Sequence, residues 1–336
     1  MKRRVLVVLI VLPLLFFFIS LFVGRYLISP ATTLQVLLSK LFPIEQTWSQ
    51  QVENVLFQIR MPRALLAVLV GAALSLSGAS FQGMFRNPLV SPDILGVSSG
   101  AGFGAVVAIM FGGAALAIEV GAFVGGLVAV GLSFAISRSY KTSPALMLVL
   151  AGVVVGAFFA ALISLLKFVA DPYEKLPVIV FWLMGSFNAR SYADVLTVIG
   201  PMVFGTALLL AVRWRINVLS MGDEQARSLG VNTETLKIIV IVGATLVTSA
   251  SVAVSGIIGW VGLVIPHVTR MLVGTDHRVL LPATLSVGAA YMLLIDTLAR
   301  TVTDAEIPLG ILTAIVGAPF FAYLLRKTKG SWGVTQ

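Results

Sequence analysis

The chain has 336 residues, of which 58% are hydrophobic and 11% charged, and a formal net charge of +9. With a mean hydropathy of +1.03, this excludes an ordinary soluble domain, in which about a quarter of residues are charged, and predicts an integral membrane protein. The absence of cysteine excludes disulfides, thiolate metal sites and cysteine nucleophiles.

The N-terminus, MKRRVLVVLIVLPLLFFFISLFV, has a basic flank and a long apolar run with no small-residue cleavage site after it. It therefore reads as an uncleaved first span and not as a signal peptide. Apolar windows long enough to cross roughly 30 Å of hydrocarbon then recur at about 63–82, 95–112, 115–137, 144–166, 194–213, 237–255, 257–273, 279–299 and 308–326, after a first at 5–24. Windows of this length imply helices, since barrel strands are short and alternating. The expectation is an all-α protein of ten spans with both termini on one side. Segment 176–188 is apolar but short and glycine-broken, so it reads as a partly inserted or interfacial helix. Asn87-Pro88, Ser91-Pro92, Ile265-Pro266 and Ile307-Pro308 mark expected helix interruptions, either loop entries or breaks of the kind transport proteins use.

One stretch does not fit the oily pattern. From Arg213 to Lys237 the chain is polar and helix-forming, and reads MGDEQARSLGVNTET from Met221. Flanked by spans, it must stand in water at a membrane face, where its expected use is contact with another protein. With the N-terminus inside, fifteen of the 23 Lys and Arg fall on that side and eight outside, while five of the 14 acids are inside and nine outside. This excess places the polar segment and both termini in the cytoplasm. The cations are scattered at span ends, which argues against nucleic acid as a partner.

VGAALSLSGAS from Val70 and VGATLVTSAS from Val242 echo each other about half a chain apart. Five spans per half, an odd number, would make the halves (about 1–170 and 190–330) inverted repeats.

No lysine stands in a GxxxxGK[ST] setting, so the chain has no P-loop of its own. SSGAGFGAVV (Ser98 to Val107) misses the dinucleotide pattern and reads as close helix packing. Membrane-buried ionisable residues are scarce. Asp296 and Arg300, at i, i+4 spacing, read as a mutual pair, and His267 reads as structural. That scarcity disfavours an ion-coupled carrier, and the lack of a His/Glu metal motif or a Ser/His/Asp set disfavours an intramembrane enzyme.

Over almost its whole length the sequence resembles the permease family of ABC importers that take up ferric siderophores, haem and cobalamin. The motifs that carry the likeness are IRMPRALLAVLVGAALSLSG (Ile59 to Gly78), FQGMFRNPLVSPDILGVSSGA (Phe81 to Ala101), GDEQARSLGV (Gly222 to Val231), SGIIGWVGLVIPHVTRMLVG (Ser255 to Gly274) and EIPLGILTAIVGAPFF (Glu306 to Phe321). The resemblance implies a single permease domain over 1–336 in a bacterial or archaeal cytoplasmic membrane. A second permease copy, two cytoplasmic ATPases and an extracytoplasmic binding protein would be its partners. The chain would be a non-catalytic subunit without a cofactor, ATP and Mg residing on the ATPases. Its cargo would be a metal chelate, foremost a ferric siderophore, with haem, cobalamin or molybdate as alternatives.

The resemblance also implies residue roles. The segment at about 215–236 would supply the coupling helices, with Gly222, Ala226, Leu229 and Gly230 at matching positions. Ala226 and Leu229 offer an apolar face, and Asp223, Glu224 and Arg227 a polar rim. Arg60, Arg63 and Arg300 would dock the binding protein, ahead of the other readings the residues allow, interfacial snorkelling for the first two and the Asp296 pair for the third. Asn87, Leu89, Thr142 and Ser143 would form the cytoplasmic gate.

Overall fold

A helix stands at each of the ten expected spans in the computed structural model, which describes residues 3–138 and 144–327. Thr142 and Ser143 of the expected gate lie outside the described residues. Helix α1 (Arg3–Phe22) is followed by two short helices that hydropathy did not signal, α2 (Pro30–Leu38) and α3 (Gln50–Asn54). The start of α2 is legible in hindsight: Ser29 Oγ accepts from the Thr32 amide at 3.0 Å, and Pro30 fills a first-turn position whose amide needs no partner. A wide-turned stretch, Val55–Arg60, fuses α3 to α4 (Met61–Phe85) into one 36-residue rod, far longer than the expected span at 63–82.

After the Asn87-Pro88 turn come α5 (Val97–Met110), α6 (Ala115–Arg138), α7 (Pro144–Val169), α8 (Lys175–Met184) and α9 (Tyr192–Ala211). The polar segment holds α10 (Arg213–Ser220) and α11 (Asp223–Ser228), and the second half adds α12 (Thr233–Ser255), α13 (Val261–Val273), α14 (His277–Ala299) and α15 (Leu309–Lys327). Among the described residues six helices are long and apolar enough to cross a membrane, and α1, α5, α13 and α15 offer shorter apolar stretches. With ten residues, α8 is too short to cross.

The centre of the molecule is the contact between α4 and α12. About 78% of each of their apolar windows is buried, against 28% for α6 and α7, so the first pair forms the core and the second faces outward. The echoed segments meet here: Thr248 Oγ1 donates to Ser77 Oγ at 2.9 Å, and Ser77 Oγ to the Ala244 carbonyl at 3.3 Å. Hydroxyls removed from water must find such partners. Small residues bring the backbones together. A Cβ on Gly78 would stand 1.8 Å from the Gly262 carbonyl oxygen, and one on Gly104 1.9 Å from that of Gly121, so no side chain fits either crossing. The SSGAGFGAVV cluster is thereby a packing surface against α6.

One expected interruption is not there. Pro266 lies inside α13, and the chain instead breaks upstream between Gly256 and Trp260, both at positive φ. The break is set by close approach, because a Cβ on Gly256 would meet the Trp182 carbonyl of α8 at 2.2 Å. His267 therefore stands within a helix, not at a break.

Candidate functional site

The polar segment folds as two short helices, α10 and α11, joined at Gly222. Gly222 (φ 128°) turns the chain between α10 and α11, and Gly230 (φ 78°) ends α11, which makes both glycines geometric requirements. Asp223 and Glu224 lie in the first turn of α11 and Arg227 in its last, matching the helix dipole. Asn232 Oδ1 accepts from the Thr235 amide at 3.1 Å and starts α12. Among the residues expected to form an apolar face, the structure separates two: Leu229 is 60% exposed and Ala226 fully buried. Ala226 therefore packs inward, because the Val231 amide folds back onto its carbonyl at 3.0 Å. Besides Leu229, the exposed large apolar residues of the segment are Met221 and Trp214, neither of which the sequence reading assigned to the face. The polar rim is partly committed internally: Asp223 is paired with Lys237, and Arg227 Nε donates to Thr233 Oγ1 at 3.2 Å.

The segment is tied to the core through Asn217 of α10. Its Nδ2 donates to Asp276 Oδ1 at 2.6 Å, while its Oδ1 accepts from the His277 amide at 2.8 Å and faces His277 Nδ1 at 2.7 Å. Asp276 also caps α14 and receives the Arg278 guanidinium. Those bonds from Arg278 and Asn217 hold its carboxyl well below the usual carboxylate range. Nearby, Arg270 Nη2 donates to Gln82 Oε1 at 2.9 Å, and Gln82 Nε2 to the Val90 carbonyl at 3.3 Å. A cavity of about 490 Å³ opens among Gln82, Arg86, Asn87, Asn217, Arg270 and His277. The structure thus brings Asn87, expected at the gate, onto the same cavity wall as Asn217 and Ser220 of the polar segment. Asn87 and Leu89 are both exposed, and Asn87 Oδ1 accepts from the Leu89 amide at 2.9 Å.

At the other end of the bundle the three arginines expected to dock a partner point inward. Arg60, Arg63 and Arg300 are 5%, 7% and 8% exposed. Arg60 donates to the carbonyls of Leu21 (2.7 Å) and Tyr26, Arg63 to Asp296 (2.8 Å) and Glu306 (2.8 and 2.9 Å), and Arg300 to the Ser20 carbonyl. Arg300 lies 3.5 Å from Asp296, so the i, i+4 pair is present but as the weaker half of a cluster. In this conformation no guanidinium of the three is free for a docked protein. A second buried group was missed: Glu119 of α6 pairs with Arg190 at 3.0 Å, which also reaches Asp194 at 2.9 Å.

A profile of the FecCD transport family matches residues 10–327. The chain belongs to this family. Among its relatives, a molybdate import system permease protein of Haemophilus influenzae is 46% identical over 93% of this chain and 92% of that one. A Helicobacter pylori protein named a probable iron chelatin transport system permease is 44% identical over 82% and 83% of the two chains. A solved inward-facing ABC transporter assigned to the metal-chelate type is 42% identical, with a TM-score of 0.86 over 97% of this chain and all of that one. This FecCD protein is thus an ABC importer permease, a multi-pass membrane protein.

Proposed function

We propose that this FecCD permease is the channel of an ATP-driven importer, built from two copies of the chain, with ten crossings in each and both termini in the cytoplasm. Two cytoplasmic ATPases with ATP and Mg would act on α10 and α11, and a binding protein would deliver cargo at the outer face. The carrying observation is the exposed α10–α11 face, Met221 and Leu229 on a polar turn, anchored to α14 by Asn217. An ATPase groove that grips this face would pull on the start of α14 and on the Asn87 loop together, closing one end of the pathway as the other opens. The outer arginine cluster supports docking from within by keeping α1, α4 and α14 in one surface.

The test is Leu229→Asp. Leu229 is exposed and has ordinary backbone geometry, so the variant leaves folding and insertion intact, whereas a change at Gly230 would also strain the backbone. Uptake and transport-linked ATP hydrolysis are expected to be lost together, and unchanged uptake would sink the reading.

For the cargo, a ferric siderophore is proposed from the motif resemblance. Molybdate is the second reading, favoured by the Haemophilus influenzae relative at 46% identity over nearly its full length. Titrating the cognate binding protein with a ferric siderophore and with molybdate decides between them.

A further inference from the structure

Where α6 ends and α12 begins, beside α11, a cavity of about 420 Å³ has an apolar floor that includes Phe134 and Ile241 and a rim that includes Arg138, Arg227 and Lys237. Phe134, Ile238 and Ile241 also line a second, almost wholly apolar groove of about 260 Å³. The two are therefore continuous, a charged mouth leading into a greasy slot between α6 and α12.

The dimensions match one kind of ligand. From Leu127, at the far end of the slot, to Arg138 at its mouth, α6 rises about 16 Å at roughly 1.5 Å per residue, close to one leaflet of a hydrocarbon core of roughly 30 Å. Three cations stand at the rim against two carboxylates, Asp223 and Glu234. Lys237 is paired with Asp223, while among the described residues Arg138 has no carboxylate partner and lies 5.9 Å over the Phe134 ring. The middle of the slot is open at Gly131, where an added Cβ would meet nothing within 4 Å.

The geometry points to a binding site for an anionic phospholipid of the leaflet on the α11 side, with its headgroup on Arg138 and Arg227 and one acyl chain along Gly131 and Val242. A zwitterionic lipid would fill the slot equally well, but its own ammonium offsets the phosphate charge and leaves Arg138 without a net negative headgroup. Because Arg227 belongs to α11, the bound headgroup would sit against the segment proposed to receive the ATPase stroke. Only the inner-leaflet location rests on the orientation proposed above. Binding itself is read without transport, so the two ideas fail separately.

The experiment is native mass spectrometry of the full-length chain titrated with phosphatidylglycerol and with phosphatidylcholine of the same acyl chains. The wild type is expected to hold phosphatidylglycerol about five-fold or more tightly over phosphatidylcholine, the effect of one cation at a membrane surface. Arg138→Gln should erase that preference and Arg138→Lys keep it. Gly131→Leu, which fills the slot with nothing to clash against, should weaken both lipids. Equal affinities in the wild type, a preference that survives Arg138→Gln, or lipid affinities unchanged by Gly131→Leu would each overturn the site. Displacement of the lipid by inorganic phosphate alone would also overturn it, by making the site one for a free anion.

Discussion

Arg63 shows how far a single residue's role depends on its surroundings. In the sequence it is a cation before a span, suited to docking or to snorkelling, but in the fold it is buried and bridges Asp296 and Glu306. Removing one partner of a buried charge network leaves the others uncompensated. Arg63→Ala is therefore expected to destabilise the protein by about 3–5 kcal/mol, read as a lowered unfolding temperature in detergent. Arg63→Lys should recover only part of this, since an ammonium cannot match the forked contact with two carboxylates. A neutral Arg63→Ala would contradict the cluster.

At the scale of elements, the decisive join is between α10 and α14. Asn217 satisfies Asp276 and His277 with one amide, and neither its oxygen nor its nitrogen can be replaced by a methyl group. If the proposed ATPases act through α10 and α11, Asn217→Ala is expected to let them turn over while uptake falls about tenfold, the effect of losing hydrogen bonds to a charged group worth roughly 1.5 kcal/mol. The diagnostic quantity is the ratio of cargo imported to ATP hydrolysed, and an unchanged ratio refutes the join. The pH dependence follows from Asp276. Because its folded pKa is depressed, its contribution is complete above the usual carboxylate range and is lost only as pH falls below it. Coupling should accordingly be flat from pH 7 to about 5 with respect to this group.

For the whole molecule, orientation is the first quantity to test, and the lack of cysteine makes the test clean. Leu27 is 89% exposed after α1, and Met221 is 62% exposed between α10 and α11. In intact cells Leu27→Cys should react with an impermeant maleimide, and Met221→Cys only after the membrane is opened. The reverse pattern would invert the topology and move the face proposed for the ATPases outside. Packing can be probed by Gly78→Leu, which should disrupt the α4–α13 crossing, because the Gly262 backbone it would strike cannot move aside as a flexible side chain could.

Much of this architecture was legible in the chain. A bilayer demands long apolar helices and leaves polar stretches nowhere to go but its faces, so the apolar helices, the polar segment between them and the family likeness could be read from local composition and motif. The inward turn of Ala226, the burial of Arg60, Arg63 and Arg300, the break at Gly256–Trp260 in place of Pro266, and the Asn217 anchor were not legible. Apart from Ala226, whose turn closes on Val231, each depends on partners tens to hundreds of residues away, as Arg63 depends on Asp296 and Asn217 on His277. Hydropathy is a property each residue carries alone and so survives in the sequence, whereas hydrogen bonding and ion pairing belong to pairs that only the packed helices bring together.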